Sequence, residues 1–280
     1  MDTNRRKFLK TGAAALGAAS LGIPAFTSKA SGQTSLQERR LKLSLAAYSL
    51  RDQFRNEGYT MKEFIDYCDE LNLDGTELTS YFFESNEDEY LRGLRLHAFR
   101  QGLDISGTAI GNNFVTPDRG ERNKEIKAVK MWIDKALVLG APSIRVFGGG
   151  QIPDGYTESD AYDWVIPAMS ECVDYAASKG IVLAVENHGG FPVTSEQTVR
   201  IINEVDSPWL GVNLDTGNFL SDWYRQMAEL IPHVVVVQLK ASLNSTVENQ
   251  KIATNPERIV SMLKYGGFKT GGLNFDAHLR

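Results

Sequence analysis

The sequence predicts an α/β fold of the (β/α)8 barrel type in a single domain. Three observations carry that prediction. From Leu43 onward, short β-rich runs alternate with longer amphipathic stretches, eight of the first with seven of the second between them. Once an N-terminal leader is set aside, about 250 residues remain, the size of one such barrel. Several of the β-rich runs also end in polar residues, as barrel strands do where they open onto an active-site rim.

The leader comes first. Arg5 and Arg6 stand in a basic head, a small-residue apolar stretch runs from Gly12 to Phe26, and Ser28-Lys29-Ala30 follows as a small-x-small cleavage site. This pattern resembles a twin-arginine secretory signal over residues 1–30, with a polar linker at 31–41 and the barrel at 42–280. The apolar run is short for a membrane span. The expected location is therefore exported and periplasmic, with no stable membrane insertion after cleavage; an uncleaved leader would leave a tether.

The strands expected next are Leu43–Leu50, Thr76–Ser80, Ile105–Ile110, Ser143–Gly148, Ile181–Glu186, Leu210–Asp215, Val234–Lys240 and Leu273–Asp276. Five of the helical stretches between them are Met61–Leu71, Lys124–Leu139, Asp160–Lys179, Thr194–Val205 and Pro256–Leu263. The eighth strand falls almost at the last residue, so the last outer helix is expected to be missing or truncated.

The chain carries 30 basic and 35 acidic side chains. The leader holds five of the basic ones and one acidic, which leaves the remainder with a net charge near −9. Such a surface repels nucleic acid and makes a phosphodiester substrate a poor fit. The two cysteines, Cys68 and Cys172, each fall in a helical pattern and read as buried thiols.

Four consecutive strands aim polar groups at one mouth: Glu186 after strand five, Asp215 after strand six, Gln238 on strand seven and Asp276 on strand eight. Three carboxylates crowded together repel unless protons or a cation neutralise them, and a hard divalent ion suits oxygen donors. Glu186 also has a second reading, as the buried partner of Arg145 on the neighbouring strand.

The motifs Val185-Glu-Asn-His-Gly-Gly190 and Leu214-Asp-Thr-Gly-Asn-Phe219 resemble those of the sugar phosphate isomerase/epimerase family, the xylose isomerase-like barrels. Gly75-Thr-Glu77-Leu, Val237-Gln-Leu-Lys240 and the stretch from Gly266 to Asp276 add to the resemblance. It implies a divalent metal, Mn²⁺ or Mg²⁺ first and Zn²⁺ or Co²⁺ as alternatives, held by Glu186, Asp215, Gln238 and Asp276. Gln238 stands where the family has His, Asp276 where its epimerases usually have Glu, and Asn218 where they place a substrate-binding His.

The implied chemistry is proton transfer beside a sugar carbonyl, through a metal-stabilised enediolate, with Glu186 and Asp276 as acid and base. Lys240 is a candidate for the developing oxyanion. Glu77, His188, Asn218 and Arg145 are candidates for binding the substrate, expected to be an unphosphorylated sugar or keto-sugar. Glu77 has a second option, pairing with Lys240. The competing readings are a lyase or hydratase on 3-keto sugars or glycosides, and a sugar-binding barrel without turnover.

Overall fold

The computed structural model describes residues 41–246, 250–269 and 273–276, the last four by their backbone alone. The leader, nearly all of the linker and the residues after Asp276 lie outside the described residues.

The first strand, β1 (Leu43–Ala46), turns into a 3-10 helix at Ala47–Leu50 and then into α1 (Arg51–Asn56). The expected strand Leu43–Leu50 therefore ends four residues early. Ala47, Ser49 and Leu50 are buried at the rim, and small buried residues read alike in a strand or a tight helix.

Strand and helix then alternate through α2 (Met61–Glu70), β2 (Gly75–Thr79), α3 (Asp88–Gln101), β3 (Asp104–Ala109), α4 (Arg119–Leu139), β4 (Ser143–Val146), α5 (Glu158–Lys179) and β5 (Val182–Glu186). They continue with α6 (Ser195–Val205), β6 (Leu210–Asp215), α7 (Trp223–Leu230) and β7 (Val234–Lys240). A short hairpin of β8 (Ser242–Asn244) and β9 (Lys251–Ala253) precedes α8 (Pro256–Tyr265) and β10 (Leu273–Asp276).

The sheet closes in the order β1-β10-β7-β6-β5-β4-β3-β2, with every neighbouring pair parallel. Parallel pairing places all strand C-termini on one rim. Strands buried on both faces need no polar alternation, which is why Leu183-Ala-Val185 and Val236-Val237 read as continuous apolar runs.

Local chemistry starts and stops the helices. Thr60 with Glu63, Thr157 with Asp160 and Thr194 with Gln197 each form a reciprocal capping box. Asp118 accepts from the N–H groups of Gly120 and Glu121, so α4 begins five residues before its apolar periodicity shows. Gly140 and Gly180 end α4 and α5 with left-handed φ values of 81° and 70°.

Cys68 and Cys172 are free and fully buried. Burial pushes both thiols up to about 12. The thiolate is the reactive species, so a maleimide should leave the native protein unlabelled and modify both cysteines only after unfolding. Labelling in the native state would show that one of the helices carrying them opens locally. Among the described residues no helix is long and apolar enough to cross a membrane.

Candidate active site

The rim is built where β2, β4, β5, β6 and β7 end. On β4, Arg145 points inward and is 7% exposed. Its Nη1 donates to the Ile110 carbonyl at 2.6 Å and to the Tyr81 hydroxyl at 3.1 Å. Its guanidinium lies 4.1 Å from the centre of the Phe147 ring.

Arg145 Nε stands 3.0 Å from Glu186 Oε2, with both side chains buried. That N–H is not aligned on a hydrogen-bond acceptor, so the contact is a charge pair rather than a directed bond. Burial works against the Arg145 charge, but Glu186, Tyr81 and Glu77 outweigh it and hold the guanidinium above its ordinary value.

Glu186 ends β5. Besides Arg145, it accepts from Asn218 Nδ2 on Oε1 at 3.2 Å and from Asn213 Nδ2 on Oε2 at 3.4 Å. Asp215 ends β6 and is 1% exposed. Its Oδ1 accepts the Gly217 N–H at 2.8 Å, and its Oδ2 lies 3.2 Å from Lys240 Nζ.

Asn187 ties these two strand ends together. Its Oδ1 accepts the Asp215 N–H and its Nδ2 donates to the Asp215 carbonyl, both at 2.9 Å. Thr216 does the same toward β7, accepting the Lys240 N–H at 3.0 Å and donating to the Gln238 carbonyl at 3.3 Å. Gln238 is 5% exposed and pairs in register with Asp215.

Glu77 is buried on β2 and accepts from Thr79 Oγ1 at 3.2 Å. Gly107 on β3 lies beside it, where a Cβ would stand 3.0 Å from Ser143 Oγ and 4.0 Å from Glu77 Cγ. His188 rises above Glu186 with its ring 4.4 Å from Phe147. Its surface is open to solvent, yet enough protein crowds it that burial lowers its pKa, and the Arg145 charge lowers it further. Asp276 ends β10 in register with Lys240. Its side chain lies outside what the structure describes.

The structure therefore gathers Glu186, Arg145, Asn218, Asp215, Lys240 and Gln238 on adjoining strand ends. Glu77 and His188 stand on the same rim. Of the two readings of Glu186, the pairing with Arg145 is realised. Lys240 meets Asp215, the carboxylate of the adjacent strand. Asn187, Asn213, Thr216, Phe147 and the Tyr81 hydroxyl were not singled out for these roles. The signal available for Asn187 and Thr216 was their place beside the rim carboxylates in Glu-Asn-His and Asp-Thr-Gly.

The donor set fits a tightly held divalent ion poorly. Of the expected ligands Glu186, Asp215, Gln238 and Asp276, the side chains of the first three are described. Glu186 and Asp215, two of the three described rim carboxylates, each already touch a cation of the chain. Gln238 offers only a neutral carbonyl where the family has imidazole.

The strand-five loop leans on the strand-four loop through Gly149 N–H to the Phe191 carbonyl, 2.8 Å, and Phe191 N–H to the Gly149 carbonyl, 3.1 Å. A Cβ on Gly190 would strike the Gly149 carbonyl and stand 2.6 Å from Gly150 C. These are backbone atoms that cannot rotate away. Gly190→Ala should cost about 1–3 kcal/mol in a denaturant melt. An unchanged midpoint would mean that the two loops separate freely.

Residues 65–268 match the family described as "Xylose isomerase-like TIM barrel". The chain belongs to that family. A search of curated proteins finds no match. Among solved structures, a D-psicose 3-epimerase from Clostridium cellulolyticum aligns with a TM-score of 0.68 at 15% identity, over 84% of this chain and 84% of that one. A 3-keto-D-glucoside 4-epimerase from E. coli gives 0.67 at 13%, over 86% and 93%. A probable 3-DHS dehydratase from Bacillus anthracis gives 0.65 at 15%, over 84% and 92%. At such identities these likenesses speak for the fold.

Proposed function

We propose that this protein is a sugar isomerase or epimerase that moves a proton beside the carbonyl of an unphosphorylated sugar or keto-sugar. The observation that carries the reading is the buried Glu186 carboxylate, anchored at the rim by Arg145 and Asn218 and set beside the Asp215–Lys240 pair. An anchored carboxylate is suited to take a carbon-bound proton, and an ammonium nearby is suited to the oxygen that gains charge as it leaves. The epimerases among the structural neighbours agree with this chemistry.

Glu186 is the base. Asp276 ends the strand two places beyond β6 in the sheet, where a second acid would serve the opposite face of the substrate for epimerisation. In this reading Glu77, His188 and Asn218 bind hydroxyl groups of the substrate. The Mn²⁺- or Mg²⁺-dependent form that the family resemblance implies is not adopted, because of the cations already touching its carboxylates. A lyase acting beta to the carbonyl is the second reading, favoured by the Tyr81 hydroxyl held 3.1 Å from Arg145 as a group that could protonate a leaving oxygen.

The test is incubation with D-psicose, D-tagatose and a 3-keto-D-glucoside in deuterated water, followed by NMR. Deuterium should enter at the carbon beside the carbonyl. Loss of a beta substituent would favour the lyase. No exchange across a broad panel of sugars would leave a binding protein as the better reading. The leader adds the proposal that the reaction is periplasmic. A reporter exported only by the twin-arginine route, fused after residues 1–30, should leave the cytoplasm, and its retention would remove that proposal.

A further inference from the structure

We infer that Lys240 stands in place of a divalent ion as the electrophile of this rim. The inference rests on the proton-transfer reading above and goes beyond it by naming the group that receives the oxyanion and by making the reaction metal-independent.

Contact is the first argument. Glu186 and Asp215, the two described carboxylates that the family resemblance assigns to the ion, each touch a cation, Arg145 on Glu186 at 3.0 Å and Lys240 on Asp215 at 3.2 Å. On each carboxylate the other oxygen accepts from a neutral donor, Asn218 Nδ2 for Glu186 and the Gly217 N–H for Asp215. A divalent ion draws its oxygen ligands to ~2.0–2.6 Å. An ion bound through Glu186 Oε2 or Asp215 Oδ2 would stand against the guanidinium or the ammonium, which repel it.

The seating of Lys240 is the second argument. It lies two residues beyond Gln238 and so shares the inward face of β7. Its backbone N–H is fixed by Thr216 Oγ1 at 3.0 Å. Its stem crosses the turn after β6, where a Cβ on Gly217 would stand 2.7 Å from Lys240 Cγ. Only a glycine leaves room for the lysine to lie across this turn and reach Asp215. The side chain is 23% exposed, so the ammonium is seated in the mouth with one side open to a substrate. Gln238 is the third argument, since an amide carbonyl replaces the donor that would compete best for a metal.

In the reaction so assigned, the Glu186 carboxylate takes the proton from the carbon beside the carbonyl. The electrons of that C–H bond become the enediolate, whose oxygen receives a hydrogen bond from Lys240 Nζ. The proton then returns to carbon from the Glu186 carboxyl, or a proton arrives from an acid on the other face. No oxidant or further reactant is required.

The experiment titrates the full-length, chelator-treated protein with MnCl2, followed by electron paramagnetic resonance and by thermal melting. The parent should take up well under one equivalent of Mn²⁺, and its melting temperature should not rise. Lys240→Met should gain Mn²⁺ binding because Asp215 is released, and Lys240→Met combined with Gln238→His should gain more. Lys240→Arg keeps the charge and should still exclude the ion. Circular dichroism establishes that each variant is folded.

Stoichiometric, stabilising Mn²⁺ binding by the parent would overturn the inference. So would a folded Lys240→Met that excludes Mn²⁺ as well as the parent does, or one that still exchanges deuterium at the parental rate. Since the Mn²⁺ titration needs no turnover, a protein that excludes the ion yet exchanges nothing would sink the proposed reaction while leaving the charge substitution standing.

Discussion

Arg145→Met should destabilise the barrel by about 3–5 kcal/mol, the usual result of leaving one member of a buried ion pair without its partner. The guanidinium is in contact with Glu186, the Tyr81 hydroxyl, the Ile110 carbonyl and the face of Phe147. Methionine keeps the length of the stem and its packing, so the loss reports the charge rather than a cavity. Glu186 cannot reach bulk water to compensate, because its side chain is 4% exposed. The double variant Arg145→Met/Glu186→Gln should recover much of the loss, since removing both charges also removes the cost of burying them. Urea melts of the parent, the two single variants and the double variant measure this coupling. A loss below about 1 kcal/mol for Arg145→Met would mean that another group neutralises Glu186.

The barrel was legible because its strands are short apolar runs bounded by polar residues. Leu210–Asp215, Val234–Lys240 and Leu273–Asp276 form the strands expected of them, each ending on a polar residue. Legibility fell where small buried residues leave the strand direction without a polar marker, as at Ala47–Leu50. It fell again in α4, where Arg119 to Asn123 belong to the helix through the Asp118 cap and show no apolar periodicity.

The candidate site divides in the same way. Glu186 and Arg145 could be paired in advance because they stand on neighbouring strands, and the register sets Arg145 beside Ala184, two residues below Glu186. That Lys240 meets Asp215 depends on its stem crossing Gly217, a packing relation that strand order alone does not contain. Asn187 and Thr216 bridge strand ends through their side chains, and sequence spacing cannot tell such a bridge from an ordinary turn residue.

Glu186→Gln should lower the rate of deuterium exchange by about 10²–10⁴, the contribution typical of a positioned general base. The substitution keeps the shape of the side chain and its neighbours, and an amide oxygen can still accept from Asn218. What it removes is the ability to take a proton. Stability must be followed in parallel, because the change also leaves Arg145 facing a neutral group. Asp215→Asn is the informative comparison. Asp215 is equally buried and also touches a cation, but it stands beside the proposed electrophile and is not the proposed base. It should shift substrate affinity and the placement of Lys240 while preserving more of the exchange rate than Glu186→Gln does. If Glu186→Gln lost only a few-fold in rate while Asp215→Asn abolished exchange, the base would be Asp215. Glu186 would then be the anchor that holds Arg145, and the two carboxylates would exchange roles within an unchanged scaffold.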